Sequence, residues 1–186
     1  GSDRAISLGD VAQAMAGDDM GDDFRGELAA ELTYQALGDS YPNGCHVAEV
    51  EIDPETGVVT LAAYTAVDDF GRLVNPMLVD GQVHGAVVQG IGQALHERTV
   101  FDPATGQMLS GSFMDYTLPR ADDVPTLATG TVEVPSRNNP LGVKGAGEGG
   151  TIGAPPAVMN AIVDALRPLG IDHLDMPATP EAVWRA

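Results

Sequence analysis

The amino-acid sequence predicts an α+β fold, in which antiparallel hairpins pack against a long glycine-rich helix and a second, C-terminal helix. Two β-rich runs, residues 47–52 and 58–67, flank a Pro- and Gly-containing turn at 53–57, as in a hairpin. Apolar residues recur at helical spacing over residues 76–97, and a second helical pattern covers residues 156–166. These three observations indicate a layer of strands against a layer of helices.

Two further elements are predicted near the N-terminus. Ser7 is followed three residues later by Asp10, an arrangement similar to a capping box, and Gly17 provides a stop signal. A short helix is therefore expected over residues 8–16. Apolar and polar residues then alternate over residues 28–36, which predicts a half-buried strand.

The C-terminal half contains shorter elements. Residues 102–106 repeat the Pro- and Gly-containing turn, and residues 131–134 read as a short strand, both belonging to a sheet. Residues 135–155 are rich in Gly, Asn and Pro and are expected to be irregular. Thr179 as N-cap and Pro180 at the first position predict a final short helix.

The predicted organisation is an N-terminal linking segment, residues 1–25, followed by one domain, residues 26–186. Gly1 and Ser2 resemble the remnant of a cleaved purification tag, and no initiator Met precedes Asp3. We therefore expect the chain to be part of a longer polypeptide.

Composition excludes several classes of protein. The formal net charge is -18, from 27 acidic and 9 basic residues, so binding to nucleic acid or to an anionic membrane is not expected. No apolar run approaches the roughly 18 residues that a spanning helix needs. Cys45 is the single cysteine, which rules out an intrachain disulfide and makes the cytoplasm the expected location.

A glycine-rich loop at residues 145–150 formally matches the dinucleotide fingerprint G-x-G-x-x-G. Its context is wrong, because no strand directly precedes it and Glu148 would repel a pyrophosphate. A lone carboxylate among glycines can approach a ligand closely and serve as a general base. The alternative, a surface loop whose glycines serve only turns, remains open on spacing alone.

The long predicted helix carries a polar stripe beside glycines. Four polar side chains share one face: Gln82, Gln89, Gln93 and His96. Gly85 and Gly92 each lie three residues after a glutamine. The stripe is either a solvated face or the contact face for a polar ligand. The glycines favour the second interpretation, because solvated helix faces are usually built from stronger helix formers than glycine.

The sequence gives no sign of a protein-ligated metal site. The four histidines lack the spacing of a zinc motif, and no serine lies in a nucleophile elbow. No metal-ligating residues are therefore assigned.

Three ordered segments together carry a family resemblance. They are residues 71–76 (GRLVNP), 81–92 (GQVHGAVVQGIG) and 142–148 (GVKGAGE), and Asp115-Tyr116-x-x-Pro119 lies between the last two. The combination resembles the C-terminal, molybdopterin-binding part of the large subunit of a molybdenum hydroxylase, the family of xanthine dehydrogenase, aldehyde oxidase and aerobic carbon monoxide dehydrogenase.

The resemblance implies a role for each matching residue. Glu148 would be the catalytic base, and Gln89 would contact the cofactor near an oxo ligand of the metal. Ala146 and Gly147 would line the metal through backbone groups. The implied cofactor is molybdopterin, in its cytosine dinucleotide form, with molybdenum in the full enzyme. None is expected in the isolated chain, because the other cofactor-binding loops lie upstream in the family.

The implied reaction is hydroxylation of an aldehyde or N-heterocycle, or oxidation of carbon monoxide, with oxygen derived from water. Implied partners are the rest of the large subunit, an iron-sulfur subunit, an FAD subunit and a small-molecule substrate, with no nucleic acid and no membrane. The substrate-selecting loops are also upstream, so the substrate class stays open. The rival hypotheses are a non-catalytic α+β binding or assembly module and a nucleotide-binding protein.

Overall fold

The structure, a computed structural model, describes residues 3, 5–17 and 31–186. The chain divides into two compact units, residues 1–35 and 36–186. In the first unit, helix α1 (Leu8–Ala16) begins where Ser7 Oγ accepts a hydrogen bond from the Asp10 backbone N–H at 3.1 Å. The predicted helix and its cap are confirmed. The domain boundary predicted at residues 25 and 26 lies outside the described residues and stays a prediction.

The strand predicted over residues 28–36 is wrong for its described part. Residues 31–36 are irregular and exposed, and Leu32 is 86% accessible to solvent. Residues 28–30 lie outside the described part of the chain. The alternation therefore does not mark a half-buried strand, because no described strand pairs with this segment to cover its apolar side chains.

The predicted hairpin is confirmed. Strands β1 (Asn43–Ile52) and β2 (Val59–Asp69) pair antiparallel, with Asn43 opposite Asp69 and Ile52 opposite Val59. The turn closes through a 2.8 Å hydrogen bond from the Gly57 N–H to the Asp53 carbonyl, and Gly57 has φ +71°. The hairpin thus follows from turn chemistry that is local in the sequence.

The third strand lies earlier in the chain than predicted. Strand β3 (Leu127–Thr131) pairs parallel to β2, from Tyr64 opposite Leu127 to Asp68 opposite Thr131, so the sheet is mixed with the order β1-β2-β3. The strand predicted at 131–134 is wrong beyond its first residue, because the ladder between β2 and β3 ends at the pair Asp68–Thr131.

The turn predicted at residues 102–106 forms outside this sheet. Its flanking residues Phe101 and Met108 make an isolated antiparallel bridge, and the Gly106 N–H donates to the Asp102 carbonyl at 2.9 Å. The predicted turn is confirmed, whereas its predicted place in a sheet is wrong because no described strand pairs alongside the bridge.

Helix α2 (Pro76–Leu95) confirms the long predicted helix, although it ends two residues before Glu97. Asn75 caps its N-terminus by accepting a hydrogen bond from the Leu78 N–H, and Pro76 occupies the first helical turn. The helix provides the crossover between the parallel strands β2 and β3.

Helix α3 (Gly149–Leu166) begins seven residues before its predicted start, so residues 149–155 are helical rather than irregular. Pro155 and Pro156 lie inside the helix, although an interior proline typically costs about 3 kcal/mol. Packing offsets this cost: Ala154 and Val158 are fully buried.

Helices α2 and α3 pack side by side and run parallel. Gly150 lies against Ala86 and Val87, and one turn later Ala154 lies against Gly90, so both helices advance in the same direction along the contact. Their N-termini therefore lie at the same end of the layer, which brings the start of α3 next to the first turns of α2.

The core lies between this helix pair and the sheet. Its largest fully buried side chains come from β2, α2 and α3 and from the residue that follows β2: Tyr64, Phe70, Val87, Ile91, Val158 and Ile162. A 3-10 helix (Arg167–Leu169) and helix α4 (Pro180–Arg185) complete the chain. Thr179 caps α4 as predicted, accepting from the Ala182 N–H at 3.3 Å.

The α+β class is confirmed, with the two long helices placed as predicted against the strands. Across the described residues, no helix is both long enough and apolar enough to cross a membrane.

Candidate active site

Glu148 occupies the N-cap position of α3 and is exposed. Its side chain makes no capping hydrogen bond, while its carbonyl accepts from the Ile152 N–H at 2.9 Å. The carboxylate is thus not used to cap the helix. The unpaired N–H groups of the first turn favour a negative charge at this position.

The three residues before Glu148 carry almost no side chain, so they leave the loop backbone uncovered. A Cβ added to Gly145 would have no neighbour within 4 Å, and Gly147 is exposed. Ala146 is half-buried and packs against the core, which holds the middle of the loop. The backbone on either side of Ala146 is therefore accessible to a ligand.

A largely buried ion pair anchors the loop on its N-terminal side. Lys144 Nζ donates to Asp69 Oδ2 at 2.5 Å, and the Lys144 backbone N–H donates to the Phe70 carbonyl at 2.9 Å. Asp69 Oδ1 accepts from the backbone N–H groups of Gly71 at 2.8 Å and Val134 at 3.1 Å. Burial alone would raise the pKa of Asp69, but these donors outweigh it and hold the pKa below its usual value.

The Asn139 side chain holds the residue before Lys144 in place. Its Nδ2 donates to the Val143 carbonyl at 2.9 Å, and its Oδ1 accepts from the Val143 N–H at 3.1 Å. The Gly142 carbonyl accepts from the Arg72 N–H at 2.9 Å, and Gly71 and Val143 form an antiparallel bridge. The segment predicted to be irregular is therefore fixed by hydrogen bonds despite having no regular structure.

The glutamine stripe of α2 faces solvent and passes the loop at one point. Gln82, Gln89 and Gln93 are all exposed. A Cβ placed on Gly147 would lie 3.9 Å from Gln82 Oε1. Gln89 lies seven residues further along α2, about 10 Å along the helix axis. Gln82 is thus the α2 glutamine beside the Glu148 loop.

Sequence reasoning placed Gln82 on the stripe but did not single it out. The residue follows Gly81 at the start of one of the three family-like segments, and that was the only local signal. Its position beside Gly147 depends on the parallel packing of α2 and α3, which the sequence pattern did not predict.

The glycines of α2 fall into two groups. A Cβ on Gly90 would lie 2.7 Å from Ala154 Cβ, and one on Gly92 would lie 2.9 Å from the Pro119 ring, so the chain itself requires both. A Cβ on Gly81 or Gly85 would meet nothing within 4 Å. Only this second pair leaves bare backbone for an external ligand.

A cleft of about 400 Å³ opens beside Glu148. It is bordered by the first turns of α3, the start of β1 and the buried side chains of His46 and Asp68. Tyr41 and Asn160 also contribute polar groups to its wall.

The cleft floor contains a buried hydrogen-bonded network. His46 Nδ1 lies 2.6 Å from the Tyr64 hydroxyl, and His46 Nε2 lies 3.1 Å from Asp68 Oδ1. Burial, and to a lesser degree the Asp68 carboxylate, raises the pKa of Tyr64. Gly153 of α3 lies directly over the His46 ring, since a Cβ there would be 2.6 Å from Nδ1. The network therefore supports the first half of α3.

Within the described part of the chain, no three His, Cys, Asp or Glu side chains gather as ligands for a metal ion. His46 is engaged with Tyr64 and Asp68, and His96 Nε2 lies 3.9 Å from Asp123 Oδ2. The groups exposed around the Glu148 loop are its carboxylate, the side chain of Gln82 and the glycine backbone.

The sequence profile described as "Molybdopterin cofactor-binding domain" matches residues 2–125, two thirds of the chain. The chain belongs to this family. Together with the relatives and solved structures described next, this match confirms the resemblance seen in the three sequence segments.

Curated relatives extend the match to the Glu148 loop. The nicotine 6-hydroxylase large subunit of Paenarthrobacter nicotinovorans is 41% identical over 187 residues, covering 100% of this chain and 23% of the relative. The carbon monoxide dehydrogenase large chain of Hydrogenophaga pseudoflava is 38% identical over 159 residues, covering 86% of this chain and 20% of the relative. The chain thus spans about a fifth of the curated relatives it matches.

Solved structures of oxidoreductases contain a region with the same fold as this chain. Quinoline 2-oxidoreductase from Pseudomonas putida 86 superposes with a TM-score of 0.75 at 42% identity, over 77% of this chain and 18% of that one. The Cu,Mo-CO dehydrogenase superposes with a TM-score of 0.75 at 35% identity, again over 77% and 18%. The molybdopterin cofactor-binding domain therefore has the fold of these oxidoreductases.

Proposed function

We propose that this domain forms one wall of the molybdenum cofactor site in the large subunit of a molybdenum hydroxylase, with Glu148 as the catalytic base. The observation that carries the proposal is the placement of Glu148. Its carboxylate is exposed at the start of α3 and makes no capping hydrogen bond. The loop that carries it is anchored upstream by the Lys144–Asp69 pair and passes beside the amide of Gln82.

The residues fit a pterin cofactor. A pterin presents hydrogen-bond donors and acceptors along its edge, and the exposed amides of Gln82 and Gln89 can pair with both kinds of group. The open space over Gly81 and Gly85 lets a planar ring approach the α2 backbone. We assign cofactor contact to Gln82 and Gln89, and backbone contact near the metal to Ala146 and Gly147.

Glu148 supplies the proton chemistry. When bound, the molybdenum cofactor would supply oxygen transfer and accept two electrons from the substrate. The Glu148 carboxylate accepts a proton from the water-derived oxygen that is transferred to the substrate. It can do so because no capping hydrogen bond occupies it.

The finer assignments follow from what the family resemblance implies and, for the location, from the single cysteine. We propose the cytosine dinucleotide form of molybdopterin, iron-sulfur and FAD subunits as electron acceptors, and a cytoplasmic location. The rest of the large subunit completes the cofactor site, since the chain covers 23% of its nicotine-hydroxylating relative. The isolated chain is expected to hold no molybdenum, because a cofactor gripped from two sides loses most of its contacts when one side is absent.

The test uses the full-length large subunit in its complete enzyme. Dye reduction with nicotine, quinoline, xanthine, simple aldehydes and carbon monoxide identifies the substrate. Glu148→Gln keeps the size of the side chain but cannot accept the proton. Since general-base catalysis contributes roughly 10²- to 10⁴-fold, turnover should fall at least 10²-fold while molybdenum content stays near that of the wild type.

Glu51→Gln is the matched control, because Glu51 is exposed on β1 and should leave turnover unchanged. If Glu148→Gln retains turnover within a few-fold in molybdenum-replete enzyme, Glu148 is not the base. Full molybdenum content and turnover in enzyme lacking this domain would instead support the non-catalytic module.

A further inference from the structure

We propose that the Asp69–Lys144 ion pair is a positioning device for the loop that carries Glu148. The inference rests on the proposed role of Glu148 and adds the residues that hold it in place. Neither Asp69 nor Lys144 touches the cleft beside Glu148, so both act through the backbone.

Asp69 is the fixed side of the device. It is the last residue of β2 and is 7% exposed. Its two oxygens accept three hydrogen bonds, from the Gly71 and Val134 backbone N–H groups and from Lys144 Nζ. The carboxylate thus ties together the end of the sheet, the segment after β3 and the loop.

Lys144 is the loop side of the device. It lies four residues before Glu148, and its side chain is 14% exposed. Its ammonium binds Asp69 and its backbone N–H binds the Phe70 carbonyl, so side chain and main chain are held to adjacent residues of the sheet end. Rotation or displacement of Lys144 would have to break both contacts.

The downstream side of the loop is fixed by helix packing. Thr151 Oγ1 donates to the Ala86 carbonyl at 3.1 Å, and a Cβ on Gly150 would lie 2.8 Å from the Val87 nitrogen. Glu148 therefore lies close to the rigid start of α3. The stretch between the two anchors is Gly145–Ala146–Gly147, in which the glycines add conformational freedom and no side-chain contact.

The course of this short stretch depends on both of its ends. Without the Lys144 ammonium, Asp69 would keep its two backbone donors, so the end of the sheet should stay folded. The loop would keep the backbone bond at Lys144, and the segment before it would keep the Asn139 contacts, the Arg72–Gly142 bond and the Gly71–Val143 bridge. We therefore expect Lys144→Met to loosen the loop without unfolding the domain, and Lys144→Arg to restore the pair.

The primary measurement is hydrogen–deuterium exchange of the full-length subunit in its complete enzyme. Lys144→Met should raise exchange of the amides from Gly145 to Glu148 about tenfold, with α2 peptides unchanged. Lys144→Arg should stay within threefold of the wild type. Arg167→Met is the matched control, because it breaks the exposed Arg167–Asp164 pair far from the loop in sequence and should leave loop exchange unaltered.

Kinetics separate positioning from general stability. With the substrate identified by the dye assay, Lys144→Met should lower kcat about tenfold or more at unchanged molybdenum content, with a small effect on KM and recovery in Lys144→Arg. Lys144→Gln, which retains a hydrogen-bond donor, should give intermediate values and replaces Lys144→Met if that variant does not accumulate in folded form.

The two proposals can fail separately. If Lys144→Met has wild-type loop exchange and wild-type kcat, the positioning role is overturned, even if Glu148→Gln abolishes turnover. The same holds for Lys144→Gln where it is used in place of Lys144→Met. If Lys144→Met raises loop exchange but Glu148→Gln leaves turnover unaffected, Glu148 has no catalytic role. The ion pair is then only a structural contact.

Discussion

Gln82 and Gln89 are the same residue type on the same exposed face of α2, yet they occupy different places relative to Glu148. Gln82 lies beside Gly147, whereas Gln89 lies about 10 Å further along the helix. Under the proposed function, an amide beside the Glu148 loop is suited to contact groups near the reacting centre, and one two turns away is suited to contact the pterin.

At this residue scale we expect Gln82→Ala to disturb the metal environment and Gln89→Ala to disturb cofactor retention. Loss of one hydrogen bond typically costs about 0.5–1.5 kcal/mol, so either effect should be partial. Molybdenum analysis together with the Mo(V) electron paramagnetic resonance spectrum of the full enzyme measures both. Gln107→Ala, in the exposed turn at residues 102–108, is the control, and identical spectra and metal content in all three variants would contradict the assignment.

At the scale of elements, the glycines of the helix pair serve different purposes. Gly150 is required by the contact between α2 and α3, because a Cβ there would lie 2.8 Å from both Ala86 Cβ and the Val87 nitrogen. Gly81 has open space around it and carries only the low helix propensity of glycine. The same residue type therefore has opposite consequences when replaced.

Gly150→Ala should destabilise the domain by about 1–3 kcal/mol, the usual range for overpacking. Gly81→Ala should stabilise α2 by up to about 1 kcal/mol. Urea unfolding of the chain without cofactor measures both free energies. A loss of stability in Gly81→Ala would mean that unseen contacts surround this position, and a neutral Gly150→Ala would mean that the helices separate at little cost.

At the scale of the whole molecule, charge is poorly balanced. If each of the 9 basic residues paired with one carboxylate, 27 − 9 = 18 acidic residues would still lack a basic partner. Among the described residues, Lys or Arg pairs with a carboxylate at Lys144–Asp69, Arg167–Asp164 and Arg185–Glu181, and the last two pairs are exposed. Exposed pairs contribute little to stability.

The 186-residue chain expressed by itself should therefore melt at a higher temperature in moderate sodium chloride than in dilute buffer, because screening weakens self-repulsion. A gain of about 1 kcal/mol corresponds to roughly 2–4 °C for a domain of this size. Melting curves from about 10 to 300 mM salt, with sucrose as an uncharged control, measure the effect. A flat or falling trend would contradict it.

The sequence by itself determined the elements whose signals are local. They are the Gly57 turn, the Ser7 and Thr179 caps and the apolar period of α2. Each involves residues within a few positions of one another, so its structure does not depend on distant contacts. The three ordered motifs likewise identified the family, because they are read directly from residue identity. The same motifs predicted the role of Glu148, which stays a prediction.

Only the tertiary structure decided how these pieces meet. Helix α3 extends through Pro155 and Pro156 because burial against α2 offsets the local cost of proline. The parallel packing of α2 and α3 places Gln82 beside Gly147, and the Lys144–Asp69 pair joins residues 75 positions apart. Each depends on long-range packing, whose free energy is set by residues far away in the chain and so leaves no local pattern in the sequence.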